Sequence, residues 1–209
     1  MFSSIFNADN SFWRGFTRVM DLFGLSLCWL LCSLPLITLS ASTTALYDAV
    51  YHGIRRGEKG DYVRFFTILR GEWKTSFPVT LLMLALTVIF LLLYRSAYVM
   101  MLAGSQAGGV LFYTYRLLFC IPLAIWLFSC ALLSRFTFTP GGLLRTACQL
   151  VFAHLPSAAL IIVMIILLLS VVLWWPFSGT FLPATAAWLC SFPLERIFAP
   201  FLQKDEDGI

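Results

Sequence analysis

Residues 156–175 read PSAALIIVMIILLLSVVLWW, an uncharged run opened by Pro156 and closed by Trp174 and Trp175. As a helix rising ~1.5 Å per residue, such a run reaches ~30 Å, the thickness of a bilayer's hydrocarbon layer. The paired tryptophans fit an interfacial aromatic belt, and Pro176 stops the helix there. Four further stretches, 22–39, 77–94, 117–133 and 181–194, are equally free of Asp, Glu, Lys and Arg. The third extends back to about 110, with Arg116 snorkelling to the headgroups, and Arg95 closes the second in the same manner. The reading is an all-α polytopic membrane protein. It has one domain, 1–209, and about five transmembrane helices at 22–39, 77–94, 110–133, 156–175 and 181–194.

Composition agrees. Of 209 residues 60% are hydrophobic and 11% charged, against roughly 25% charged in soluble domains, and the mean hydropathy is +0.89. The longest polar stretch, 52–76, is too short to bury a core of its own, so no soluble catalytic module is expected. The net charge of +4 sits in short loops beside apolar spans. A nucleic-acid binder needs a folded basic face, so that class is set aside. No basic run precedes Arg14, and the first apolar stretch reads as retained rather than cleaved.

Charge sets the expected orientation. With five spans, Arg55, Arg56, Lys59, Arg64, Arg70, Lys74, Arg135, Arg145, Arg196 and Lys204 share one side, and Arg14, Arg18, Arg95 and Arg116 the other. The positive-inside rule puts the first group and the C-terminus in the cytoplasm and the N-terminus outside. A second reading has 22–39, broken near Pro35, enter and return on one side. Charge prefers that reading, because Arg14 and Arg18 then join the majority. Helix length, ~27 Å, favours the full span.

Two cytoplasmic segments, about 43–75 and 140–154, carry amphipathic spacing. In the first, Ser42, Thr43 or Thr44 is expected to cap a helix with Leu46, Tyr47, Val50, Tyr51 and Ile54 on one face. Gly57 and Gly60 end it around Glu58-Lys59. A second helix then presents Phe65, Phe66, Leu69 and Trp73, and Phe77-Pro78 opens the next span. In the later segment Thr139 caps, Pro140 takes the first helical position, and Leu143, Ala147, Leu150, Val151 and His154 form a stripe.

The candidate functional turn is Pro35, Thr38, Thr43, Thr44 and Tyr47. A proline that loosens a helix end, beside converging hydroxyls, can hold a sugar or a partner helix. The candidate partner-contact face is Phe65, Phe66, Arg70, Trp73, Lys74 and Arg135. Asp21 can pair with Arg18, and Asp48 with His52 one turn on or with Arg55. Cys28 and Cys32 share a helix face, but no CxxC or His pattern joins them, so they read as packing residues. No nucleophile–base array or paired-acid motif stands out, so neither enzymatic activity nor a cofactor is expected.

The run Trp29-Leu30-Leu31-Cys32-Ser33-Leu34-Pro35-Leu36-Ile37-Thr38, followed by Ala41 and Thr43-Thr44-Ala45-Leu46-Tyr47, resembles the N-terminal signature of the YesL family. Phe65-Phe66, Arg70, Trp73-Lys74, Phe77 and Ser134-Arg135-Phe136 are similar to it as well. That family comprises small bacterial integral membrane proteins of unassigned biochemical activity. The resemblance implies a multi-pass protein of the bacterial cytoplasmic membrane. It also implies an accessory or regulatory role in carbohydrate uptake, with sugar ABC-transporter permease or sensor subunits as partners beside the lipid bilayer. The alternative is a small autonomous transporter or channel, as a single chain or a homo-oligomer.

Overall fold

The computed structural model describes residues 11–58 and 60–206, with side chains over 17–58, 60–175 and 177–198. Lys59, the tail from Asp207 and the side chains of Arg14 and Lys204 lie outside the described residues. Every regular element among the described residues is helical. In chain order these are α1 (Ser11–Ser33), a 3₁₀ turn (Leu36–Thr38), α2 (Leu39–Ala49), a π-helical turn (Val50–Arg55), α3 (Asp61–Gly71) and α4 (Trp73–Leu102). There follow α5 (Gln106–Leu118), α6 (Cys120–Leu133), α7 (Pro140–Ala153), α8 (Leu155–Trp174), a 3₁₀ turn (Pro176–Thr180) and α9 (Leu182–Glu206).

Among the described residues three elements are long and apolar enough to cross a bilayer: Trp73–Leu102, Gln106–Leu133 and Leu155–Trp174. They match the second, third and fourth expected spans. Protein covers only 11% of the most apolar window of α8 and 17% of that of α4, so lipid is the natural solvent for the rest. The second span starts earlier than expected: α4 opens at Trp73 and holds Pro78 in its second turn. The third is two helices, because Pro122 has no N–H to give the Leu118 carbonyl and the ladder breaks at Phe119.

The two outer spans need correction. The stretch 22–39 is not one helix. It is divided at Leu34-Pro35, where Pro35 is extended (φ −76°, ψ 95°). Its first part ends α1, and its last residue begins α2. The stretch 181–194 is the first half of α9, which runs straight through Glu195. Neither is an isolated apolar helix of span length.

α1 and α2 form an antiparallel hairpin. Trp29 meets Thr43, while Leu25 packs with Ala45, Leu46, Ala49 and Val50. The second arm is ~16 Å long, about half a bilayer. It is also the centre of the molecule, packed by α1, α3, α4, α6 and α9. All of its residues except Leu39 and Thr43 are buried. That overturns the amphipathic reading of 43–55, and the physical reason lies in its composition. Ser40, Ala41, Ser42, Thr43, Thr44 and Ala45 are small on every side and admit neighbours all round. The expected caps are interior residues, for α2 already begins at Leu39.

The amphipathic reading does describe α3, which buries Phe65 and exposes Val63, Phe66 and Arg70. It also describes α7, whose Leu143, Ala147, Leu150 and Val151 are buried. Thr139 precedes α7 without a side-chain cap bond, and His154 terminates that helix rather than joining the stripe. Gly57 and Gly60 have φ of +75° and +99° and turn the chain between the π turn and α3.

Close approach at the α4–α5 hairpin requires Gly108, where an added Cβ would run into the Met100 and Met101 backbone. Gly108→Ala is expected to cost about 1–3 kcal/mol, seen as a lower Tm in detergent. Gly109→Ala, which meets nothing, is expected to leave Tm unchanged or raise it.

Candidate functional site

The polar residues of the interior gather where the end of α6, the π turn and the middle of α9 meet. Arg135 follows α6 and Glu195 lies on α9, and their side chains are only 9% and 10% exposed. Arg135 donates to Glu195 Oε1 from Nη2 at 2.7 Å and from Nε at 3.2 Å. Its guanidinium lies over the Tyr51 ring, 3.7 Å from the centroid. Tyr47 donates its hydroxyl to the same Glu195 oxygen at 3.2 Å. Burial, then the Glu195 charge, push the Tyr47 phenol well above its ordinary value, so it stays a donor.

His52 connects this cluster to a second one. Its Nε2 stands 3.3 Å from Arg135 Nη1. An arginine only donates, so Nε2 accepts and the ring carries its proton on Nδ1. That nitrogen faces the Asp48 carbonyl at 3.1 Å and Asp48 Oδ1 at 3.2 Å. Asp48 is 1% exposed, and its other oxygen accepts from Arg64 Nε at 2.5 Å. Arg64 in turn reaches Glu58 in solvent. The chain Tyr47–Glu195–Arg135–His52–Asp48–Arg64–Glu58 alternates acceptor and donor from the interior to the surface.

The π turn makes this possible. Arg56 N bonds Tyr51 O, one residue wider than an α turn, and single π turns recur at functional sites. Tyr51 and His52, adjacent in sequence, thereby both reach Arg135. Gly53, within the turn, leaves room for the Asp61 carboxyl. Arg55 leaves the turn outward and donates to Ser191 O at 3.0 Å, with its guanidinium over Phe192.

Chemically, the cluster orders charge. An Asp–His pair resembles the base half of a nucleophilic triad, but the position a nucleophile would take is filled by a guanidinium. The nearby Ser191 hydroxyl donates to the Trp188 carbonyl. Among the described residues no group of three His, Cys, Asp or Glu converges as for a metal ion. Cys28 and Cys32 pack against the Leu25 cluster.

The candidate turn residues divide. Pro35 is exposed at the α1–α2 turn, and Thr38 donates to the carbonyls of Pro35 and Cys32. Thr43 donates to Leu39 O at 2.7 Å and accepts from Trp29 Nε1. Thr44 is fully buried with an unpartnered hydroxyl, close to the Cys130 thiol. Only Tyr47 joins the charge network. Of the partner-face residues, Phe66, Arg70, Trp73 and Lys74 are exposed together on α3 and the start of α4. Phe65 is fully buried, and Arg135 is an interior residue.

Sequence spacing finds Asp48–His52, an i,i+4 pair. It does not find Asp48–Arg64 or Arg135–Glu195. Glu195, the acid that follows the uncharged stretch 181–194, was the available signal, for an acid packed among apolar helices needs a cation.

At the other side of the hairpin, burial raises the Asp21 carboxyl, and burial followed by the Asp21 charge raises that of Asp61.

A family model described as a protein of unknown function, DUF624, matches residues 22–95. That segment covers the second half of α1, the α2–α3 unit and most of α4. No curated protein matches the chain, and no solved structure does.

Two outcomes are expected. Arg135→Met strands Glu195 and is expected to cost about 3–5 kcal/mol, with Arg135→Met/Glu195→Leu regaining much of it; melting in detergent measures both. Asp21→Asn is expected to raise Tm at pH 7. A carboxyl raised in the folded state makes the native form take up protons first, so native stability grows as pH falls through the raised values. The Tm gap between variant and wild type therefore closes as pH is lowered towards 4.

Proposed function

We propose that this is an accessory or regulatory protein of the bacterial cytoplasmic membrane, acting on a carbohydrate-uptake permease or its sensor rather than catalysing a reaction. The observation that carries the reading is the exposed face of Val63, Phe66, Arg70, Trp73, Lys74 and Phe77. It joins aromatic side chains to cations, the composition that anchors protein interfaces. The family match supports a shared, unassigned role for the same segment, and the resemblance to YesL proteins supplies the carbohydrate link.

In this proposal the face that carries Arg70 and Lys74 is cytoplasmic, following the positive-inside rule. The antiparallel α1–α2 hairpin sets Gly24 beside Tyr62. That supports the re-entrant alternative, in which the start of α1 lies on the same side as α3. The transporter reading has less support, because Asp48, His52, Arg135 and Glu195 pair with one another and, among the described residues, the only buried side-chain groups left unpartnered are the Thr44 and Ser76 hydroxyls.

Affinity purification in mild detergent is expected to bring down stoichiometric permease or sensor subunits. Phe66→Ala/Trp73→Ala is expected to reduce their recovery at least tenfold while the Tm holds. Wild-type protein that comes down alone from native membranes overturns the proposal.

A further inference from the structure

A chamber of about 390 Å³ runs through the bundle between α1, α2, α6, α8 and α9. Along α9 its wall extends from Leu182 to Leu194, and along α8 from Ile161 to Val172. At ~1.5 Å per residue either wall is about 17–18 Å long. A bore of that length accommodates an extended polymethylene chain, which asks for no polar partner along it.

The chemistry of the wall selects the occupant. Its side-chain oxygens and nitrogens belong to Trp29, Thr43, Tyr47 and Trp126. Each is already engaged: Trp29 with Thr43, Thr43 with Leu39 O, Tyr47 with Glu195, and Trp126 with Ser40. Water needs two to four polar partners and finds none, and a sugar would leave its hydroxyls unpaired. Apolar cavities of about 150 Å³ stay dry and take up benzene; this one is more than twice as large.

Its opening faces the right solvent. α1 and α8 wall the chamber from two sides, yet they are not packed on each other as α1–α9 and α8–α9 are. Leu169, on the α8 wall, is 57% exposed. The slot between α1 and α8 therefore admits material from the bilayer. We propose that the chamber is a binding site for a single acyl chain of a bilayer phospholipid, inserted between α1 and α8 and ending against Tyr47 and Leu194. Such a chain holds the α1–α2 hairpin apart from α8 while packing against the helix that carries Tyr47. The proposal stands independently of the partner reading above.

The test uses the full chain in phosphatidylethanolamine–phosphatidylglycerol vesicles containing a phosphatidylcholine with a diazirine near its chain end. After photolysis, labelled peptides are mapped by mass spectrometry. Label is expected on chamber residues such as Leu168, Ala186 and Cys190, besides the outward Leu91 of α4. Ala186→Phe, which fills the bore, is expected to reduce chamber label at least tenfold and leave Leu91 label unchanged. Wild-type label confined to outward faces overturns the proposal whether or not the variant folds. So does chamber label that Ala186→Phe leaves intact, or a chamber protected because a second copy of the chain occupies it.

Discussion

A guanidinium buried at the end of a membrane helix must find its counter-charge inside the protein, and Arg135 does so with Glu195. Removing one partner would leave the other as an uncompensated charge in a medium that cannot hydrate it. The pair therefore demands that α9 lie beside the end of α6. The remaining capacity of Arg135 is taken up by the Tyr51 ring and His52 Nε2. These two side chains come from adjacent residues, and the wider π turn is what brings both to one cation. A π-helical turn, a fixed histidine tautomer and the docking of α9 thus follow from a single electrostatic requirement.

The same requirement explains why a half-length helix occupies the centre. α2 is studded with hydroxyls, and in lipid there is no water to satisfy them. Ser42 and Thr43 give theirs to Leu39 O, while Ser40 accepts the Trp126 indole. Once so used, these groups are structural fasteners, and the surface they present to the chamber is apolar. A Pro-broken, hydroxyl-rich segment that reads as a polar binding turn becomes, in three dimensions, the packing hub.

Much of this architecture is legible in the chain. The bounds of α8 follow from Pro156 and Trp174, the buried stripe of α7 from the spacing of Leu143 and Ala147, and the turn before α3 from Gly57 and Gly60. The candidate site is less legible. Asp48 and His52 are one helical turn apart and can be paired on paper, whereas Arg135 and Glu195 are separated by 60 residues. Phe65 and Phe66 look equivalent in sequence, yet one is core and the other surface, because only the packing of α3 on α2 picks the side.

By itself, the sequence determined that the chain is all-α, that it holds helices long and apolar enough to cross a membrane, and where Pro and Gly end several of them. These follow from hydropathy, length and local backbone sterics, which act within a turn or a span. Only the tertiary structure decided that the first apolar stretch divides into a hairpin, that α2 is buried on all sides, and that Arg135 belongs to Glu195. The reason is physical. Lipid and protein interior are alike apolar, so hydropathy cannot tell a lipid-facing residue from a buried one, and buried charges choose partners by proximity in space rather than along the chain.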